Sequence, residues 1–302
     1  MANALGTLAG TLILQRALAM VFNKRPLLKN ITLNLRDLDT GSSEAKFNQV
    51  ISTRVKGVPT VNNFGTGAVD TADVDVNVTL DQFKEVQYDF TVQQYSATSR
   101  DLIDEHAEPM AIAIANHLVD AVATLWTAAN FTTNTVKAAG WDYNHLNSVR
   151  KVFSQRGVPE NQRRFYAASA DVYESMLNDT LIVAGLNNPN NADAIRDGFL
   201  PQVSGFGVSE YPDLPTTNNM VGFAGTPDSS VLVVRVPKNP NELMPGVNFP
   251  GNIGIVTEPT TGLSVMVTQY ITPSTLTATN RMIFMYGKAV GRANNGQRIT
   301  SV

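Results

Sequence analysis

The chain has no cysteine, which excludes disulfides and thiolate metal ligands and fits a reducing compartment. Charge is also scarce. Asp, Glu, Lys and Arg make up 16% of the 302 residues, against about 25% in an average soluble domain. Asn and Thr fill much of the gap, which suits a surface covered by like subunits better than one fully in water. The net charge is −3, from 23 basic and 26 acidic side chains. Tight sequence-independent binding of nucleic acid needs a basic face that neutralises phosphates, and this balance argues against one. Enclosing nucleic acid is a different task, since a container need not grip its contents. A membrane-spanning helix needs roughly 20 uninterrupted apolar residues, but Thr7, Thr11, Gln15 and Arg16 break the apolar stretch over residues 5–22. That stretch carries its charges within and after the apolar run, the reverse of a secretory signal. Without a secretory route, the Asn-x-Thr sequences at Asn30, Asn77, Asn130 and Asn178 carry no meaning. There is no sustained repeat and no low-complexity segment.

Hydrophobic residues make up 43% of the chain. A chain of this length buries roughly 75% of the surface it exposes unfolded, enough for one large or two modest domains. Leu5, Leu8, Leu12, Leu18 and Phe22 recur at helical spacing and predict an amphipathic helix docked on protein. Residues 31–38 alternate as a strand. Two further strands are expected on either side of Asn62-Asn63-Phe64-Gly65, forming a ribbon with valines on one face and polar residues on the other. Such a ribbon has too little apolar area to stand alone in water, so it packs on its own domain or across a neighbour. We expect it to order only against a neighbour. Residues 83–98 read as another strand. Thr98 or Ser99 is expected to cap a short helix that ends before Pro109, and Pro109 to open a second one. That second helix carries Met110, Ile114, His117, Leu118, Ala121, Leu125 and Ala129 on one stripe. After residue 130 the pattern becomes α/β. A helix closed by Gly157 and Pro159 is followed by the buried strand RRFYAAS, the helix ADVYESMLND and the buried strand VLVVRVP. Two β-rich segments, GLSVMVTQY and NRMIFMYGKAVG, come last.

Catalytic and cofactor motifs are missing. His106, His117 and His145 stand in no H-E-x-x-H pattern, no G-x-S-x-G elbow supplies a nucleophile, and no phosphate-binding loop occurs. Ser43 to Lys46 matches S-x-x-K by letter, without the companion motifs that would give it meaning. Gly65-Thr66-Gly67 lacks the third glycine of a dinucleotide site. Asp70, Asp73 and Asp75 lack the glycine and terminal glutamate of a calcium loop and read as a solvated face. Phe64, Tyr88, Phe90 and Tyr95 read as packing residues, because few basic residues interleave with them. No catalytic, cofactor-binding or metal site is therefore expected, and no cofactor.

The order of parts resembles the major capsid proteins of tailed bacteriophages, with the Hong Kong-type capsid fold. An N-terminal segment leads to a Gly-punctuated ribbon, an aromatic-rich strand and the Ser99-Arg100-Asp101 helix. A long Ala-rich helix entered through Pro109 follows, then an α/β region, then a β-rich return containing Tyr286-Gly287 and Gly291-Arg292. The resemblance implies an α+β fold. Residues 1–38 would be an N-terminal arm and 39–80 an extension loop. A peripheral domain with a spine helix would take 81–135 and 239–302, and an axial domain 136–238. It also implies a structural, non-enzymatic subunit that forms hexamers and pentamers of an icosahedral shell around double-stranded DNA, without sequence-specific binding and without a membrane. Scaffolding and portal proteins would be further partners. The location would be the virion, with assembly in the host cytoplasm. Some members cross-link a loop lysine to a neighbour's asparagine. Lys46 and Lys56 lie in the loop here, and Asn294 and Asn295 lie late in the chain, but no motif fixes them in those roles. Two rivals stand: a bacterial nanocompartment shell of the same fold, and a soluble hydrolase with an unrecognised site.

Overall fold

A computed structural model of the chain describes residues 32–33, 44–55, 61–65, 74–97, 102–158, 163–182, 200, 202–215, 219–242, 251–257 and 263–302. The expected N-terminal helix, the capping positions Thr98 and Ser99, and Lys56, Asp70 and Asp73 lie outside them. The elements in order are β1 (Thr32–Leu33), β2 (Glu44–Ala45), β3 (Val50–Val55), β4 (Val74–Thr79), β5 (Gln82–Thr91), α1 (Val92–Ala97) and α2 (Leu102–Ala123). They continue with β6 (Asn134–Val136), α3 (Tyr143–Gln155), β7 (Arg164–Ala168), α4 (Ala170–Leu177), β8 (Phe206–Glu210), β9 (Met220–Gly225) and β10 (Ser230–Pro237). The last four are β11 (Gly251–Thr257), β12 (Ser264–Thr272), β13 (Thr277–Val290) and β14 (Gly296–Thr300).

The first sheet is organised on β13. One edge pairs with β12 over its first half and with β10 over its second, and the other edge pairs with β5. Strand β11 extends the sheet beyond β12, while β1 and β2 add short parallel pairings to β10. Because successive side chains point to opposite faces, β13 offers Met282, Phe284 and Tyr286 to one face and Met285 and Gly287 to the other. Helix α2 covers the first of these faces. Met110, Ile114, Leu118 and Val122 pack with Met282, Phe284, Val265, Val267 and Val234. The second face takes the base of the β3–β4 hairpin, where Ile51, Val76, Val78 and Leu80 meet Val231, Val233 and Met285.

The second sheet runs β6-β14-β9-β7-β8. Strand β7 is buried throughout, as a strand covered on both faces must be. Tyr166 and Ala168 pack under α3 and α4 with Leu146, Val149, Phe153, Val172 and Met176. Phe165 and Ala167 join the other core. There Trp126 stacks on Phe223 at 4.4 Å between ring centroids, tying this sheet to the end of α2.

Several expectations need correction. Residues 92–97 are helix, not a continuation of the strand. A reciprocal cap makes the switch: the Gln94 backbone N–H donates to Thr91 Oγ1, and the Thr91 N–H donates to Gln94 Oε1. Pro109 divides nothing, because α2 is one helix with Pro109 inside it. Proline removes one helical hydrogen bond, but buried Ala107, Met110 and Ala111 on either side of it hold the helix against the sheet. The helix also ends at Ala123, so Leu125 and Ala129 lie beyond it. Strands β6, β8, β9, β11 and β14 were not legible as strands. Strand β10 lies in the first sheet and β14 in the second, although each is close in sequence to strands of the other sheet. Hydrogen bonding between strands distant in sequence makes that exchange.

Candidate assembly surfaces

The hairpin is clamped at its root and bare at its tip. Its root closes through Asn48 N–H to the Leu80 carbonyl at 2.9 Å and Leu80 N–H to the Gln49 carbonyl at 3.0 Å. The valine face predicted for β4 exists: Val76 and Val78 are buried while Asp75, Asn77 and Thr79 face solvent. The root lies flat on β13 because residue 287 is glycine. A Cβ there would stand 2.1 Å from the Thr79 carbonyl oxygen. Gly291 has the same role at the end of β13, where a Cβ would meet the Asp228 carbonyl oxygen at 2.2 Å. The Tyr286-Gly287 and Gly291-Arg292 pairs thus have a steric reason. The expectation that the ribbon orders only against a neighbour is wrong for this root, whose apolar partners are in its own chain. At the tip, Val61 and Phe64 are fully exposed and Gly65 takes a φ of +91°. Phe47 and Phe83, each half exposed, meet edge to face at 6.5 Å beside the root.

The hairpin face of the sheet carries a polar row farther along. Arg281 donates from Nε to Gln87 Oε1 at 2.9 Å and from Nη2 to the Tyr270 hydroxyl at 3.2 Å, and pairs with Glu85 at 3.3 Å. Gln87 in turn donates to Asp89 at 2.9 Å. On the helix face, at the end of the sheet beyond the start of α2, a cleft of about 370 Å³ is lined by Phe90, Asn252, Gln269, Ile271, Ala278 and Asn280. Ile271 is largely exposed, whereas Asn280 is buried and its Oδ1 accepts no hydrogen bond from the described residues.

The three histidines are brought to three separate places, each with an aromatic partner. His106 stacks on Tyr88 at 3.8 Å between centroids. His117 Nε2 lies 3.0 Å from the Tyr286 hydroxyl. Burial, with Lys84 and Lys288 nearby, lowers the His117 pKa, and burial raises that of Tyr286. Both are therefore neutral near pH 7. His145 is buried beneath Trp141 and Tyr166, where desolvation, with Lys137 next, pushes its pKa down to about 4. Among the described residues no group of three or more His, Asp or Glu could hold a metal, and no helix is long and apolar enough to cross a membrane. Of the residues weighed for cross-linking, Lys46 sits in the exposed turn at the hairpin root. Asn294 is exposed and Asn295 buried in the turn before β14. Phe64, Tyr88 and Phe90 are not brought together as a platform: Phe64 stands alone at the tip, while Tyr88 and Phe90 pack with His106.

No family description and no curated protein sequence matches the chain. Solved structures do. It is similar to a structure from Mycobacterium phage Che8, with a TM-score of 0.59 and 15% identity over 91% of this chain and 90% of that one. The capsid of Cyanophage P-SCSP1u matches at a TM-score of 0.56 and 12% identity, over 85% and 84% of the two chains. A virus-like particle from Pyrococcus furiosus matches at 0.50 and 13%, over 95% and 97%. The chain has a mixed helix and sheet fold of the phage capsid kind.

Proposed function

We propose that the chain is a major capsid protein, a structural subunit without enzymatic activity that self-assembles into an icosahedral shell around phage double-stranded DNA. The observation that carries this reading is the match to phage structures over 91% and 85% of the chain. The exposed hairpin tip supports it, because an apolar tip held away from its own core suits contact with another subunit. In this reading the fold is the Hong Kong-type variant. The sheet carrying α2 is the peripheral domain, the second sheet the axial domain, and the hairpin the extension loop. Copies associate as hexamers and pentamers, with scaffolding and portal proteins as further partners. The site of action is the virion, assembled in the host cytoplasm.

Gel filtration with electron microscopy of the purified chain tests this. Closed megadalton particles are the expected result, and a 32.7 kDa monomer under all assembly conditions overturns it. The virus-like particle from Pyrococcus furiosus shares this fold, and the rival reading within it is a bacterial nanocompartment shell that packages protein. Ultraviolet absorbance ratios of particles purified from the native source separate nucleic-acid cargo from protein cargo.

A further inference from the structure

The cleft at the end of the first sheet joins a cavity to a buried polar side chain that the described residues leave unused. Cross-strand pairing sets Phe90, Ala278 and Ile271 in one row and Tyr88, Asn280 and Gln269 in the next. Alternation along β13 puts both rows on the face of Met282, the one that α2 covers farther along. Asn280 is 5% exposed. Its Oδ1 accepts no hydrogen bond from the described residues, although Gln269 and Tyr88 stand directly across from it. A buried acceptor left in this state costs free energy that an incoming N–H recovers.

The walls decide what can bring that N–H. Tyr88 holds Phe90 at 4.8 Å between ring centroids and itself stacks on His106 at 3.8 Å, so one wall is an aromatic ring fixed from behind. Ile271 and Ala278 continue the apolar lining. The one ionisable group among the lining residues is the Tyr270 phenol, which alternation turns to the opposite face, where Arg281 donates to it at 3.2 Å. No lining residue carries a charge that would hold an ion. At about 370 Å³ the cleft is near the small end of the roughly 300–1,000 Å³ range of sites that enclose a small organic ligand.

We propose that this cleft binds a small, uncharged aromatic or heteroaromatic molecule that donates an N–H to Asn280 Oδ1. The ring lies against Phe90 and Ile271, and the donor reaches the acceptor on the floor between them. An aromatic primary amide is the simplest molecule of this class. One chain builds the whole site, so the proposal does not rest on the shell-subunit reading.

Benzamide titrated onto the purified full chain and followed by saturation-transfer NMR tests this. Saturable binding within the solubility of the ligand is expected. N,N-dimethylbenzamide keeps the ring and the carbonyl but has no N–H, and should bind roughly fivefold more weakly, the worth of about one hydrogen bond. Ile271→Asp alters an exposed wall position and should weaken benzamide several-fold. Asn280→Leu should abolish the preference for benzamide over its dimethyl analogue. If that variant does not fold, the two amides on the wild-type chain still decide the matter. Absence of saturable binding, equal affinity for the two amides, or benzamide binding indifferent to Ile271→Asp overturns the site. None of these results touches particle formation, which gel filtration judges separately.

Discussion

Helix α2 and the β3–β4 hairpin lie on opposite faces of the same sheet, and they spend their apolar surface differently. The helix buries Met110, Ile114, Leu118 and Val122 within the chain. The hairpin buries Ile51, Val76, Val78 and Leu80 at its root and exposes Val61 and Phe64 at its tip. Burial of apolar area drives both folding and association, so where each element places that area separates the two uses. The helix places its apolar surface inside the chain, and the far end of the hairpin leaves Val61 and Phe64 outside it.

The most severe test of that contrast is Leu118→Ala. Removing a fully buried leucine costs about 2–5 kcal/mol through lost transfer energy and the cavity left behind. Chemical denaturation of the unassembled subunit should show that loss. A change below about 1 kcal/mol would mean that the helix is not the core of this face.

Acid extends the comparison to the second sheet, which has its own buried titrating group. The His145 pKa is about 4 in the fold and about 6.5 when unfolded. Above pH 6.5 both states are neutral and the group has no effect. Between 6.5 and 4 only the unfolded chain takes up the proton, so stability falls with pH before levelling off. The loss is on the order of 2–3 kcal/mol. Urea unfolding at pH 7 and pH 4.5 should differ by that amount in the wild type, and by much less in His145→Gln.

On the hairpin side, Gly287→Ala drives a methyl group into the Thr79 carbonyl and must lift the root from β13. Overpacking of this kind costs about 1–3 kcal/mol. Limited proteolysis should then cut residues 74–80 in the variant, whereas the wild-type subunit is cut only at the tip. Identical cleavage of both would show that the root does not depend on this close approach.

The smallest effect is expected at His117→Gln. Glutamine keeps much of the volume and a hydrogen-bonding end for Tyr286, so the cost should stay near or below 1 kcal/mol. Particles of normal size by light scattering are the expected outcome. Particles from Leu118→Ala but none from His117→Gln would reverse the ranking of the two residues and reopen the search for a site on α2.

The mixed helix and sheet class was legible in the residues alone. Periodicity located α3, α4, β7, β10, β12 and β13, and it gave β4 its buried valine face. Gly157, at a φ of +71°, ends α3 as expected. Local rules misjudged Pro109, whose preference to begin a helix yielded to the packing of Ala107, Met110 and Ala111. They also missed β9, where Gly222 and Gly225 lower strand propensity but Phe223 and Ala224 are held between two buried neighbours, β7 and β14. The cleft had no signature at all, because β5, β11, β12 and β13 each contribute only one to three of its residues.

The sequence by itself determined that this chain has no disulfides, no recognisable catalytic motif, a low charge and a ribbon too thin to stand alone. Those follow from composition and from neighbours a few residues apart. Only the tertiary structure decided that the ribbon's root packs on its own β13 while its tip stays bare. It also decided that β10 joins the first sheet and β14 the second, and that Phe90, Ile271 and Asn280 share one cleft. Each of these depends on pairing between strands far apart in the chain, and such pairings are selected by total buried area and hydrogen bonding, which no local pattern encodes.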